Sequence, residues 1–296
     1  MNGGAGMMLR HLRVLEPHPG ILAFYDGRVA DHRFAEAPNW VDDGALSLGI
    51  ASYALISGDQ AIVYDTHVSV PHGHFIKETL KARGVRGIRV VLSHWHLDHV
   101  AGTEAFAGCA VIANVRTAAH LAQNRQGIED GSFHGLPAID PLVLPDQLFD
   151  GRMVLDLGGE AVELLTCNVH SDDATVIWLP ERGILLAGDT VEDCVTYVGE
   201  PGAFDAHLAD LGRLSALGAH WVLPNHGDAD VIATGGYGPG LLTATADYIR
   251  HLQTADPAAP VAMAKAIAPG LADGTLRFFA PYEAVHAQNL QRVWHG

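Results

Sequence analysis

The segment SHWHLDH, residues 93–99, limits the fold more than any other part of this 296-residue chain. It places three imidazoles and one carboxylate directly behind residues 88–92, a short apolar run typical of a buried strand. These side chains converge only if the chain turns sharply after that strand. Nitrogen and oxygen donors in such a cluster suit zinc and its neighbours, and burying them without a metal would cost several kcal/mol. The segment therefore predicts a metal site.

The flanking sequence predicts alternating strands and helices. Residues 52–65 hold two apolar runs around Gly58-Asp59, which is a hairpin signal, and residues 75–82 carry apolar side chains at helical spacing. Further strands are predicted over residues 108–113, 161–166, 174–179, 184–187 and 221–223, and helices over residues 117–126 and 206–217. Two similar successive halves favour two sheets packed face to face with helices outside.

The spacing H-x-H-x-D-H resembles the metal-binding motif of the metallo-β-lactamase superfamily. Later residues match the remaining positions of that family in order: His170 follows a strand that ends near Cys167, Asp189 ends another strand, and His226 lies in the sequence LPNHG. Asp65, at the end of the early hairpin, resembles the family aspartate that supports the first histidine loop. The resemblance spans roughly residues 45–230.

This resemblance implies an α+β fold, the four-layer αββα metallo-β-lactamase sandwich. Its catalytic domain would cover residues 1–240, and a mainly helical C-terminal extension, residues 241–296, would pack on the same domain. The implied ligands are His94, His96 and His170 for a first metal, Asp98, His99 and His226 for a second, and Asp189 as a bridge between both. Two divalent ions are thus expected, with Zn²⁺ as the default and manganese, iron or cobalt as alternatives.

The same resemblance implies a dinuclear metal-dependent hydrolase that cleaves an ester, lactone or thioester by attack of a metal-bridging hydroxide. Asp98 would orient the hydroxide or pass a proton to the leaving group. Asp189 favours this group of enzymes, because the zinc β-lactamases with the most similar hairpin to residues 170–182 carry a cysteine there. They also have a lysine three residues later, where this chain has Glu192.

Three alternatives stay open. A zinc-dependent β-lactamase is favoured by the hairpin, but Glu192 would repel the carboxylate of such a drug. A mononuclear iron dioxygenase that acts on persulfides is a different use of the same fold. A non-enzymatic sensor with a retained metal site is the last alternative.

The formal net charge of −16 argues against a nucleic-acid partner, because phosphate binding requires clustered cations. It favours a neutral or weakly cationic small-molecule acyl substrate. The chain has neither an apolar run of about 20 residues nor a secretory signal, so a cytoplasmic location without a membrane partner is expected. Tyr248, Ile249 and Leu252 share one helical face, which predicts a cover for the sandwich or the contact surface of a homo-oligomer.

Four residues are candidates for substrate contact. Trp40 lies in a Pro-rich acidic segment and is a candidate flap residue, with a packed aromatic as the alternative. Tyr197 and Tyr237 are candidate donors to a substrate oxygen or, alternatively, loop anchors. Glu192 is expected either to face the mouth of the pocket or to face solvent.

A second group of histidines comprises His67, His72 and His74. No carboxylate accompanies them at the spacing of metal ligands. The sequence therefore predicts a solvated loop here, in preference to a third metal site.

Overall fold

The computed structural model describes residues 9–295, and the chain forms two compact units. The first unit ends at Ala161 and the second begins at Val162. The predicted domain boundary at residue 240 stays a prediction, and residues on both sides of it belong to the second unit. Among residues 9–295, no helix has both the length and the apolar character needed to cross a bilayer.

The first unit contains a seven-stranded sheet whose strands lie in chain order. They are β1 (Arg13–His18), β2 (Ile21–Asp26), β3 (Ile50–Ser57), β4 (Gln60–Tyr64), β5 (Gly87–Val91), β6 (Ala110–Asn114) and β7 (Gln147–Phe149). Neighbours from β1 to β4 pair antiparallel, and neighbours from β4 to β7 pair parallel. The predicted hairpin around Gly58-Asp59 is confirmed as β3 and β4.

The helices of the first unit are α1 (Val70–Ala82), α2 (Leu97–Val100) and α3 (Val115–Asp130). α1 begins five residues earlier than predicted, because a proline in the first turn costs no helical hydrogen bond. Asn114 caps α3, since its side chain accepts hydrogen bonds from two backbone N–H groups of the first turn at 2.7 and 3.2 Å.

Apolar faces of these helices pack on the sheet. Leu80 of α1 and Leu121 of α3 share one buried cluster with Val90 of β5. Each such side chain contributes roughly 1.5–3 kcal/mol by leaving water. This packing holds the strand that precedes the histidine segment.

β8 (Arg152–Leu157) closes the first unit, and the unit boundary falls within β9 (Glu160–Val169). Within the second unit, β9 pairs antiparallel with β10 (Ser171–Leu179), β10 pairs antiparallel with β11 (Ile184–Gly188), and β11 pairs parallel with β12 (Trp221–Pro224). The helices are α4 (Phe204–Ser215), α5 (Ala229–Ala233), α6 (Gly240–Gln253), α7 (Met263–Ala266), α8 (Ala268–Ala272) and α9 (Tyr282–His295). The predicted helical character of the C-terminal region is confirmed.

Parallel pairing brings strand ends to one sheet edge within each unit. Tyr64 of β4 pairs with Val91 of β5, so Asp65 and the histidine segment leave the first sheet at the same edge. In the second unit Gly188 of β11 pairs with Pro224 of β12, so Asp189 and the loop of His226 also leave side by side. Such carboxyl ends of strands are where α/β proteins place their ligands.

A substitution at Gly102 tests how tightly the turn behind α2 is packed. A Cβ atom there would collide with the backbone carbonyl oxygen of Thr66, whereas a Cβ on Gly44, in the same unit, meets no atom within 4 Å. We expect Gly102→Ala to lower the free energy of unfolding by about 1–3 kcal/mol and Gly44→Ala to change it by less than about 1 kcal/mol. Urea-induced unfolding measures both, and equal stability of the two variants would contradict this packing.

Candidate functional site

The first donor set comprises His94, His96, Asp98 and His99, which follow β5 and enter α2. The Nε2 atom of His94 lies 2.9 Å from Nδ1 of His96. The rings of His94 and His99 are 4.3 Å apart between centroids, and Nε2 of His99 lies 3.6 Å from Oδ2 of Asp98. The sharp turn predicted after the strand is therefore present and gathers all four side chains.

The carboxylate of Asp65 stabilises this turn through a contact of each of its oxygens. Its Oδ1 atom accepts a hydrogen bond from the backbone N–H of Ser93 at 2.7 Å, and its Oδ2 atom lies 2.9 Å from Nδ1 of His99. A carboxylate only accepts, so it selects the tautomer of His99 with the proton on Nδ1 and leaves the Nε2 lone pair for a metal. Thr66 adds two hydrogen bonds to the backbone oxygen of His99, from its amide at 2.8 Å and from its hydroxyl at 3.0 Å.

The second donor set comprises His170, Asp189 and His226, all buried in the second unit. His170 occupies the turn between β9 and β10 with a left-handed φ of 70°, and the other two follow β11 and β12. Oδ2 of Asp189 lies 3.6 Å from Nε2 of His170 and 3.4 Å from Nε2 of His226. One carboxylate oxygen thus stands between two imidazole nitrogens.

Glu192 lies beside this set. The sequence leaves Glu192 either at the mouth of the pocket or facing solvent. Its carboxylate is turned inward and is 2 % exposed, so the solvent-facing alternative is wrong. Its Oε1 atom accepts a hydrogen bond from the amide of Tyr197 at 3.1 Å and lies 3.4 Å from Nδ1 of His170. These contacts explain why a charged side chain is buried here instead of facing solvent.

The other predicted substrate contacts have local partners. The indole N–H of Trp40 donates to the carbonyl of Pro137 at 2.9 Å, and the hydroxyl of Tyr237 accepts from the amide of Asp228 at 2.7 Å. Tyr197 is half-buried, and its ring centroid lies 5.6 Å from that of His170. Tyr197 is thus placed against a member of the donor set in its own unit. Contact of any of the three with substrate stays a prediction.

The pKa of Tyr197 is relevant to that prediction. Burial raises the pKa of its phenol, and the guanidinium of Arg292, 4.8 Å from the ring centroid, opposes the shift only in part. The hydroxyl therefore keeps its proton at neutral pH and is able to donate a hydrogen bond.

The solvated loop predicted around His67 and His72 is wrong. Both side chains are buried and their rings stack 4.3 Å apart. Nε2 of His72 lies 3.1 Å from Oδ2 of Asp26, and its Nδ1 lies 2.7 Å from the hydroxyl of Ser69. The carboxylate that the local sequence lacks comes from β2, while His74 is exposed as expected.

The chemistry of the two donor sets fits divalent metal ions. Within the first set, two imidazole nitrogens that face each other at 2.9 Å share either a proton or a cation. In the second set, a carboxylate oxygen faces two further imidazole nitrogens. Nitrogen donors with carboxylate oxygens are borderline ligands that suit zinc, manganese, iron or cobalt.

Comparison of the chain with known proteins gives a matching family and several similar proteins. The sequence profile of the Metallo-beta-lactamase superfamily matches residues 47–235. The chain is 31% identical over 140 residues to a hydroxyacylglutathione hydrolase of Rhodobacter capsulatus, covering 47% of the chain and 48% of the relative. It is 40% identical over 147 residues to an atrochrysone carboxyl ACP thioesterase of Passalora fulva, covering 48% of the chain and 38% of the relative. The chain thus spans half or less of the length of these curated relatives.

Solved structures show the same fold. A metallo-β-lactamase from Pontibacter korlensis superposes with a TM-score of 0.61 at 18% sequence identity, covering 81% of this chain and 99% of that protein. At this sequence identity, the structural similarity is evidence for the fold alone. It confirms the predicted fold class, and the helical C-terminal region is seen in the structure of the chain itself as α6 to α9.

Asp65→Asn tests whether Asp65 orients His99. The amide nitrogen of asparagine would donate to Nδ1 of His99 and so move the ring proton to Nε2, the atom needed for a metal. We expect zinc affinity, measured by competition with a chromophoric chelator, to fall about 10- to 100-fold. Asp43→Asn, at an exposed position of the same unit, is the control and should bind zinc as the wild type does. Equal affinity of both variants would contradict the orienting role.

Proposed function

The chain belongs to the metallo-β-lactamase superfamily, and on that premise we propose that it is a dinuclear metal-dependent hydrolase of thioesters. The observation that carries the proposal is the position of Asp189. Its Oδ2 atom lies between the imidazole nitrogens of His170 and His226, at 3.6 and 3.4 Å. A carboxylate in this place is suited to hold two cations at once.

The two donor sets together supply seven ligands in this proposal. The first metal is assigned to His94, His96 and His170, the second to Asp98, His99 and His226, with Asp189 shared by both. Two divalent ions bound there, most simply Zn²⁺, would make a hydroxide nucleophile available near neutral pH and polarise the carbonyl of the substrate.

Asp98 is assigned the proton transfer. Its side chain is 18 % exposed, more than that of His99, and its Oδ2 atom lies 3.6 Å from Nε2 of His99. A partly exposed carboxylate is able to take a proton from the attacking water and to return it to the leaving group. Asp65 keeps the neighbouring imidazole in place during this exchange.

The thioester assignment rests on the relatives. One relative is by name a hydroxyacylglutathione hydrolase and the other an acyl carrier protein thioesterase. A thiolate is a better leaving group than an alkoxide, so its departure needs less help from a proton donor such as Asp98. The net charge of −16 leaves a small acyl compound, not a nucleic acid, as the proposed substrate.

A zinc β-lactamase is the second candidate. The structure removes one argument against it, because Glu192 faces His170 and does not present its charge at an exposed surface. The fold is also that of solved metallo-β-lactamases. Asp189, in the place of the cysteine of the similar enzymes, still favours the ester and thioester group.

A substrate panel separates the two candidates. The zinc-loaded protein is assayed with an N-acetylcysteamine thioester, a p-nitrophenyl ester, a γ-lactone and nitrocefin. We expect kcat/KM for the thioester to exceed that for nitrocefin by more than about tenfold. The reverse ranking would replace the proposed function with β-lactam hydrolysis.

Asp98→Asn tests the proton transfer. An amide cannot carry the proton, so kcat for the thioester should fall by about 10²- to 10⁴-fold, while the first zinc ion, whose assigned ligands are unchanged, should stay bound. Asp205→Asn, at an exposed position in α4, provides the matched control and should keep full activity. If Asp98→Asn turns over as fast as this control, Asp98 has no catalytic role.

A further inference from the structure

We propose that Glu192 is a positioning residue that orients His170 toward the metal, and that helix α9 holds the segment of Glu192 in place through Asn289. The inference rests on the proposed metal-dependent function. It concerns the segment 189–198, which begins at a proposed ligand and lies wholly within the second unit. It also gives the helical C-terminal region a role in the site.

The two nitrogens of His170 face two different carboxylates. Nε2 lies 3.6 Å from Oδ2 of Asp189, on the side of the proposed metal. Nδ1 lies 3.4 Å from Oε1 of Glu192. The negative charge of Glu192 beside Nδ1 favours the tautomer with the proton on that nitrogen, which leaves the Nε2 lone pair for the metal.

Thr196 supports this assignment. Its hydroxyl has a single proton, and the shortest of its contacts is the donation to the backbone oxygen of Asp189 at 2.7 Å. The same oxygen atom lies 3.5 Å from Nδ1 of His170, where it can then only accept. Both groups near Nδ1 are thus acceptors, which again places the proton on that nitrogen.

The turn of the segment creates this arrangement. Cys194 has a left-handed φ of 88°, and the chain reverses so that Thr196 and Tyr197 return to Asp189 and Glu192. The amide of Tyr197 donates to Oε1 of Glu192 at 3.1 Å and compensates part of the cost of burying its charge.

Asn289 of α9 holds the far end of the segment. It is fully buried, its Oδ1 atom accepts from the amide of Val198 at 2.8 Å, and its Nδ2 atom donates to the backbone oxygen of Thr196 at 2.9 Å. A further contact of 3.1 Å joins Nδ2 to the hydroxyl of Tyr248 on α6. One side chain thus ties two residues of the segment to two helices of the C-terminal region.

The adjacent acid provides a contrast within the same segment. Asp193 is as deeply buried as Glu192, but its Oδ1 atom accepts from the amide of Arg277 at 3.3 Å, on the other side of the segment. A carboxylate that is buried in this segment therefore does not necessarily lie beside the ring of His170. The direction of Glu192 is what the proposal depends on.

The first experiment compares Glu192→Ala, Glu192→Gln and the control Asp193→Asn. Zinc affinity is measured by chelator competition, with no substrate present. We expect Glu192→Ala to weaken binding about 10- to 100-fold and Glu192→Gln by about three- to tenfold, because the amide oxygen keeps a partial negative charge beside Nδ1 but lacks the full charge of the carboxylate. Asp193→Asn should stay within about twofold of the wild type.

Nitrogen-15 NMR of the zinc-loaded proteins gives a second readout. The Nδ1–H proton of His170 should be observed in the wild type and in Glu192→Gln and should be lost to exchange in Glu192→Ala. Wild-type affinity together with a preserved Nδ1–H proton in Glu192→Ala would overturn the proposal. If Glu192→Ala does not fold, Glu192→Gln decides, and an affinity equal to that of Asp193→Asn would overturn it.

Asn289→Ala tests the link to α9, with Gln288→Ala at the exposed neighbouring position as its control. Loss of the two bonds to the segment should weaken zinc binding about fivefold, whereas Gln288→Ala should not change it. Equal affinities would overturn the role of α9. A wild-type chain that binds no divalent metal would instead defeat the proposed function, and the two failures are thereby distinguished.

Discussion

Parallel pairing of β4 with β5, and of β11 with β12, is the constraint on which both donor sets depend. In a parallel pair the backbone hydrogen bonds fix the register, so the residues that follow the strands leave the sheet side by side. Asp65 thereby meets the turn of Ser93 and His99. By the same rule Asp189 meets the loop that carries His226. The chemistry of each unit is decided by residues at strand ends.

Burying polar imidazoles costs free energy unless other groups replace the lost water. In this structure a carboxylate repeatedly takes that place. A carboxylate lies behind His99 as Asp65 and behind His170 as Glu192. In each case the carboxylate sets the ring proton, and the other nitrogen is left for a metal. A third pair, Asp26 with His72, has the same chemistry but belongs to no donor set. The pairing therefore stabilises buried imidazoles in general, and becomes functional where the second nitrogen faces another donor.

Much of the fold could be predicted from the sequence because its signals are local. The hairpin of β3 and β4 and the histidine segment after β5 are each recognisable within about fifteen residues. β2 was not predicted: ILAFY is a continuous apolar run like residues 88–92, and such a run alone does not distinguish a strand from a buried helix segment. Missing β2 also hid Asp26, which led to the wrong prediction for His67 and His72.

The buried position of Glu192 and the direction of its carboxylate could not be predicted from the sequence either. Its direction depends on the reversal at Cys194 and on a side chain of α9 that is 91 residues away from Val198 along the chain. No rule based on the spacing of residues along the chain predicts either contact. Thr66 and Thr196 were missed likewise, because threonine carries no spacing signal of its own.

The measurement that most directly tests the central claim is metal stoichiometry against activity. Metal-free protein is titrated with Zn²⁺ while thioester hydrolysis and bound metal are followed in the same sample. The proposal that two metal ions share Asp189 predicts that activity rises to its maximum at two zinc ions per chain. Full hydrolysis by the metal-free chain, or one iron per chain as the active form, would contradict the account.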